Sequence, residues 1–275
     1  MRTFAYLGPA GTFTEAALKK VSTDSDLRTP YINVTAALDA VRTGLADFAV
    51  VPIENSVEGV VARTLDELAT GVPLTIAGEI THAVTFDLMS KSAESTITTI
   101  GTHPHAESQC RTYLSQNYPH AEIVTTNSTA DAAERVAKGE LDAAIASTAA
   151  AENFGLTVLA SNIGDNQSAV TRFVVVQKPG FIPEPTGHDR TSLVVYIDID
   201  HAGALLEILT VFAKYDVNLT FIQSRPTGRE LGHYHFVIDV EGHINDKAVA
   251  SSMHDLAEIC DDIRFLGSYP REVRP

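Results

Sequence analysis

The sequence predicts a two-part α/β protein: a larger, two-lobed domain of alternating strands and helices, then a smaller domain with the order βαββαβ. Three observations carry this. Short apolar runs alternate with helical segments over residues 1–177. The stretch KPGFIPEPTGHDR at 178–190 is a poor helix and a poor central strand, and reads as an extended linker. Beyond it the periodicity runs strand, helix, strand, strand, helix, strand.

In the first part, strands are expected at 4–7, 48–53, 97–100, 123–125, 143–146 and 173–176. Helices are expected at 14–21, 36–43, 62–68, 106–114 and 130–137, a pattern of a mostly parallel sheet. An internal echo points to two lobes on one plan. TAALDAV at 35–41 leads through GLAD into FAVV, and STADAAE at 128–134 leads through GELD into AAIA. Each unit is a helix closed by a C-terminal glycine and followed by a buried strand. Chance similarity between Ala-rich helices is the alternative. The expected boundaries are 1–179 for the first domain, with lobes at about 1–76 plus 161–179 and about 77–160. The linker is then 180–190 and the second domain 191–275. In that second domain strands at 191–197, 218–224, 233–240 and 263–266 and helices at 204–215 and 246–259 give the ferredoxin-like order.

Composition narrows the function classes. The chain has 275 residues, with 35 acidic against 20 basic side chains and a net charge of −15. That balance, with no basic stretch, argues against nucleic acid. A 44% hydrophobic and 20% charged composition excludes a disordered or fibrous chain. No apolar run approaches the ~20 residues of a membrane span, and the N-terminus lacks the apolar core of a signal peptide. Cys110 and Cys260 lie far apart, with no metal-ligand or CxxC spacing. The expectation is a cytoplasmic protein with reduced thiols.

Two α/β lobes place a cleft beyond the carboxyl ends of the strands, and the polar residues fall there. They are Gly8 to Glu15, Glu54-Asn55-Ser56, Thr102-His103-Pro104-His105 and Thr126-Asn127-Ser128-Thr129. Several helix N-termini would face that cleft, which suits a small anion despite the acidic total. Thr12 with Glu15, and Ser128 with Asp131, also read as capping boxes, and both readings can hold.

These residues resemble the signature segments of the prephenate dehydratase family: YLGPAGTFT at 6–14, VPIENS at 51–56, THP at 102–104 with Gln109-Cys110, and Thr171-Arg172-Phe173. The four stand in family order. The resemblance implies a two-lobed fold like that of periplasmic binding proteins, followed by a regulatory ACT domain. It implies conversion of prephenate to phenylpyruvate, water and carbon dioxide in L-phenylalanine biosynthesis. In the second domain, Gly203-Ala204-Leu205 resembles the ACT ligand loop, and Gln223-Ser224-Arg225-Pro226 the family's usual Glu-Ser-Arg-Pro. The implied phenylalanine site is Gly203, Ala204, Leu205, Asn218, Gln223, Ser224 and Arg225, between ACT domains of a homodimer or homotetramer. Ala202 and Gln223 depart from the pattern, as does His105 where Gln is common.

Loss of carbon dioxide and hydroxide makes the prephenate ring aromatic, so no metal, other cofactor or covalent intermediate is expected. The demand is to hold two carboxylates and assist the departing hydroxyl, for which a placed hydrogen-bond donor gives about 10²–10³-fold. Thr171 is the first choice at that hydroxyl, as donor or relay, with backbone bonding at a strand start as the bland alternative. Asn55 fits substrate orientation. Glu54 is either the general acid or a support for Asn55 or a helix end. Gln109 is either a substrate contact or a surface helix residue. Arg172 either clamps a carboxylate or pairs with Asp165. Thr12, Ser56, Thr102 and Phe173 complete the expected substrate contacts. His233 and His235 share a strand face without an evident third metal ligand, and Cys110 reads as buried packing rather than a nucleophile. An arogenate dehydratase would use the same residues, and a non-catalytic small-anion binder would share the cleft.

Overall fold

The computed structural model describes residues 1–197, 201–227 and 234–272. Its elements begin with β1 (Thr3–Leu7), α1 (Phe13–Val21), β2 (Leu27–Tyr31), α2 (Val34–Thr43), β3 (Phe48–Asn55), β4 (Gly59–Val60), α3 (Ala62–Thr70) and β5 (Thr75–Ala83). There follow β6 (Asp87–Ser90), β7 (Thr99–Thr102), α4 (Pro104–Gln109), α5 (Arg111–Asn117), β8 (Glu122–Thr125) and α6 (Thr129–Lys138). Next come β9 (Ala143–Ala146), α7 (Thr148–Phe154), β10 (Thr157–Ala160) and β11 (Val170–Gln177). The chain closes with β12 (Asp189–Tyr196), α8 (Ala204–Lys214), β13 (Leu219–Pro226), β14 (Tyr234–Glu241), α9 (Lys247–Ile259) and β15 (Asp262–Pro270).

By packing, the chain forms two compact units. One comprises Met1–Ala37, Val50–Val61 and Ile80–Phe173, and the other Leu38–Ala49, Ala62–Glu79 and Val174–Pro275. Strands β2, β1, β3, β11 and β5 pair in that order, and β4 pairs with β3.

The first unit contains the five-stranded sheet β10-β6-β9-β7-β8. Here β7 is parallel to β8 and β9, whereas β6 is antiparallel to β9 and β10. The sheet is therefore mixed, not all parallel. Residues 91–98 after β6 carry no helix, so the chain reverses direction instead of making the helical crossover that parallel strands need. Both faces are covered. Leu88, Ile100, Ala143 and Ile145 join one apolar cluster with Cys110 and Leu114. Met89, Ala144 and Ala146 join another with Val136 and Ala150. The alternation along β9 is the period of two expected of a strand buried on both sides.

Helix 106–114 does not form as one piece. It breaks at Cys110 (φ −118°, ψ 15°) into α4 and α5. The Asp165 N–H donates to the Gln109 carbonyl at 2.6 Å, and the Asp165 carboxylate accepts from the Thr112 N–H at 3.3 Å. The first bond takes the carbonyl that a continuing helix would use, and the second starts the new helix. Both echo helices do end at a left-handed glycine, Gly44 (φ +80°) and Gly139 (φ +82°).

In the second unit, the sheet β13-β14-β12-β15 is antiparallel throughout. Leu193, Val195, Ile238 and Val240 pack against Ile208 and Phe212 of α8 and Leu256 of α9. This is the βαββαβ arrangement expected. Polar side chains of the same sheet hold α3. The Tyr196 hydroxyl donates to the Ala69 carbonyl, and Arg264 donates to the Leu68 and Gly71 carbonyls at 3.1 and 2.8 Å. These are the carbonyls that a helix leaves unpaired at its C-terminus.

Candidate active site

The first unit encloses a cavity of about 930 Å³. The chain segments that open on it include the β1–α1 loop, the end of β2, the β3–β4 turn, the start of α4 and the start of α6. Strand β11 supplies Thr171 and Phe173 to its wall. Among the described residues the lining contains no Lys or Arg, and its carboxylates are Glu58, Asp131 and Glu134. The starts of α1 and α6 supply positive potential for an anion, and the imidazoles of His103 and His105 stand in the same lining.

Both helix starts are also capped. Thr12 Oγ1 accepts from the Glu15 N–H at 3.4 Å, and the Glu15 carboxylate accepts from the Gly11 N–H at 2.6 Å. Gly11 sits at φ +83°, a left-handed position that suits glycine in this tight turn. Ser128 Oγ accepts from the Asp131 N–H at 3.0 Å.

The central pair is Asn55 and Thr171. Asn55 Oδ1 accepts from the backbone N–H groups of Val57 and Glu58 at 2.8 and 2.9 Å. Those two bonds identify Oδ1 as the acceptor end of the amide. Asn55 Nδ2 then donates to Thr171 Oγ1 at 2.8 Å. With that oxygen already accepting, the threonine hydrogen is the group left to donate.

Gln109, on α4, is 8% exposed and lines the same cavity. Its Nε2 donates to Glu58 Oε1 at 3.0 Å, and Glu58 Oε2 lies 3.7 Å from His105 Nδ1. The His103 and His105 rings meet edge to face at 4.9 Å. Burial, and then neighbouring His105, pull the His103 pKa below the ordinary imidazole value. Glu58 was not singled out from the sequence. Its signal was its place three residues after Asn55, where an Asx turn folds it back toward the site.

Several expected contacts lie elsewhere. Arg172 alternates with Thr171 and Phe173 along β11 and does not line the cavity; its Nε donates to Glu54 Oε2 at 3.2 Å. Asp165, the other partner considered for Arg172, bonds Gln109 and Thr112. The bond from Arg172 takes Glu54 away from Asn55. Ser56 is used in strand pairing: its N–H donates to the Val170 carbonyl and its Oγ accepts from the Val170 N–H. Thr102 is 1% exposed and donates to the Ile145 carbonyl at 3.1 Å. Neither Ser56 nor Thr102 lines the cavity. Cys110 is fully buried, and its thiol is pushed up to about 12 by burial, then by Asp165.

In the second unit, a small cavity of about 180 Å³ opens at the start of α8, lined by Gly203, Ala204, Leu205, His201, Tyr234 and Phe236 among others. Gly203 stands at φ +101°. Asn218, Gln223, Ser224 and Arg225 do not line this cavity. Arg225 is bound to Asp66 instead.

Among the described residues, no group of three or more His, Cys, Asp or Glu could hold a metal ion. His233 lies outside the described residues; His235 is fully buried on β14, its ring 5.6 Å from that of Tyr196. No helix among the described residues is long and apolar enough to cross a membrane.

Comparison with known proteins places the two parts of the chain. Residues 4–180 match the prephenate dehydratase family model, and residues 191–258 match that of the ACT domain. The prephenate dehydratase of Amycolatopsis methanolica is 43% identical over 272 residues, covering 98% of this chain and 89% of that protein. That of Mycobacterium tuberculosis strain H37Rv is 45% identical over 281 residues, covering 98% and 87%. The crystal structure of prephenate dehydratase from Arthrobacter aurescens in complex with L-Phe superimposes with a TM-score of 0.91 at 47% identity, covering 98% and 90%.

Proposed function

The chain belongs to the prephenate dehydratase family, hydro-lyases that turn prephenate into phenylpyruvate, and we propose that the cavity bordered by Asn55, Gln109 and Thr171 is where it does so. In this reaction the ring carboxylate leaves as carbon dioxide. The electrons of the broken carbon–carbon bond complete the aromatic ring, and hydroxide departs and takes up one proton to become water. The protein must orient the dianion and stabilise the departing oxygen.

The observation that carries the reading is the polarity of the Asn55–Thr171 bond. A threonine hydroxyl that accepts from Asn55 directs its hydrogen to the leaving oxygen. It is too weak an acid to give the proton up outright, so Thr171 acts as hydrogen-bond donor or relay. Gln109 contacts the substrate, and Phe173 offers an apolar wall to the ring. The starts of α1 and α6 receive the carboxylates.

We further infer a catalytic domain at 1–179, a linker at 180–190 and an ACT domain at 191–275, in a cytoplasmic homodimer or homotetramer. The free thiols of Cys110 and Cys260 fit that location. Phenylalanine binds at the cavity beside Gly203-Ala204-Leu205. Asn218, Gln223 and Ser224 stand outside that cavity, so the second half of the site comes from another copy. Incubation of the purified protein with prephenate and with arogenate, measuring phenylpyruvate and phenylalanine, tests the activity. Faster turnover of arogenate would reassign the substrate, and turnover of neither would leave an anion-binding protein.

A further inference from the structure

Among the polar side chains that line the cavity, Asn55, Thr171 and Gln109 are linked by hydrogen bonds that run through Glu58. The backbone N–H of Glu58 donates to Asn55 Oδ1 at 2.9 Å, which helps set which end of the Asn55 amide faces Thr171. The carboxylate of the same residue accepts from Gln109 Nε2 at 3.0 Å. A carboxylate can only accept, so it dictates which end of the Gln109 amide meets it. Without it, that amide could turn over and present the wrong atom to the substrate.

The placement of this carboxylate is otherwise unfavourable. It lines a cavity that receives a dianion and has no Lys or Arg among its described lining residues, and the side chains beside it able to carry positive charge are the imidazoles of His105, with Nδ1 3.7 Å from Oε2, and His103. Gln109 of α4 is the other polar group beside it, His103 being the cap that precedes that helix. A group that repels the substrate must be matched by some benefit in the reacting complex.

We propose that Glu58 is a positioning residue for the dehydration, holding the Gln109 amide in one orientation. This rests on the assignment of the cavity as the active site. Hydrogen bonding and charge then act on different kinetic constants. Glu58→Gln keeps a carbonyl able to accept from Gln109 but can also present its own N–H, so orientation is only partly lost. Glu58→Ala loses it entirely. Both variants remove the charge that repels the substrate.

The test measures kcat, KM for prephenate and thermal midpoint in wild type, Glu58→Gln, Glu58→Ala, Gln109→Ala, the Glu58→Ala/Gln109→Ala double variant and Thr171→Ala. The expected order of kcat is wild type, then Glu58→Gln, then Glu58→Ala, the last lower by about 10-fold. KM is equal or lower in both Glu58 variants, and the thermal midpoint stays at the wild-type value. The double variant is no slower than Gln109→Ala, because both changes remove one function. If Thr171→Ala abolishes turnover while Glu58→Ala keeps the wild-type kcat, the site stands and the role of Glu58 is overturned. Additive losses in the double variant overturn it too, as does equal kcat in Glu58→Gln and Glu58→Ala. If Thr171→Ala turns over normally, the cavity assignment itself fails, and the role of Glu58 with it.

Discussion

Arg225 and Asp66, 159 positions apart in the sequence, face each other as a two-pronged pair, with Nε to Oδ1 at 2.9 Å and a terminal nitrogen to Oδ2 at 2.8 Å. The guanidinium was expected among the phenylalanine contacts. It instead joins Tyr196 and Arg264 in fastening α3 to the sheet of the second unit. The two side chains are 24% and 35% exposed, so solvent screens them partly. Asp66→Ala and Arg225→Ala are each expected to destabilise the protein by about 1 kcal/mol, with the double variant no worse than either. Urea unfolding checks this, and strictly additive losses would show that the pair is not energetically coupled.

Turnover is expected to depend on the direction of the Asn55–Thr171 bond. Thr171→Ala is expected to lower kcat by about 10²–10³-fold with little change in KM, whereas Thr171→Ser keeps more activity. Asn55→Asp preserves the acceptor for the Val57 and Glu58 N–H groups but takes away the donor to Thr171. The threonine hydrogen then turns to the new carboxylate, and kcat falls although the turn remains. Steady-state kinetics with prephenate measure all three, and near-wild-type kcat in Thr171→Ala would refute the assignment.

Phenylalanine inhibition is expected to depend on Gly203. Among the described residues no atom would lie within 4 Å of a side-chain β-carbon at this position; the obstacles are the left-handed backbone and a ligand's own approach. Gly203→Val should weaken inhibition while leaving kcat without phenylalanine unchanged. End-product control requires unequal phenylalanine affinity in two states of the protein. Unchanged inhibition in this variant would move the site elsewhere. A chain ending near Gly187 is a poorer test, because it also strips Tyr196, Arg225 and Arg264 from α3.

Acid sensitivity is expected at Asp142, whose Oδ2 accepts from the N–H and hydroxyl groups of both Thr98 and Thr99 at 2.7–3.0 Å. These bonds, the Thr98 hydroxyl first, hold its carboxyl at about 2, below the ordinary 3.8. The folded value is the depressed one, so its stabilisation is complete above about pH 4 and is lost as pH falls through about 2. Asp142→Asn should lower stability at neutral pH and flatten the loss between those values. Denaturant melts across that range report it, and an unchanged acid limb would count against this role.

The sequence alone determined what local chemistry governs. A short apolar run predicted β9, β-branched and alternating runs predicted most of the C-terminal sheet, glycine predicted the ends of α2 and α6, and Pro and Gly marked the stretch between the two family matches. Thr12 and Ser128 were legible as helix caps, and Asn55, Gln109 and Thr171 as cavity residues through a resemblance spread over four segments. Elements with weak local signals were missed, such as the edge strand β2 with Pro30, the short β6 and β10, and α7. Tertiary structure decided the rest, because the partners are distant in sequence. It turned Arg172 away from the cavity to Glu54, split a helix with the N–H of Asp165, and tied α3 to a sheet that begins more than a hundred residues later. It also brought the Glu58 carboxylate to the Gln109 amide, 51 positions apart. A side chain's residue type states what it can bond to; only the folded chain states which partner is within 3 Å.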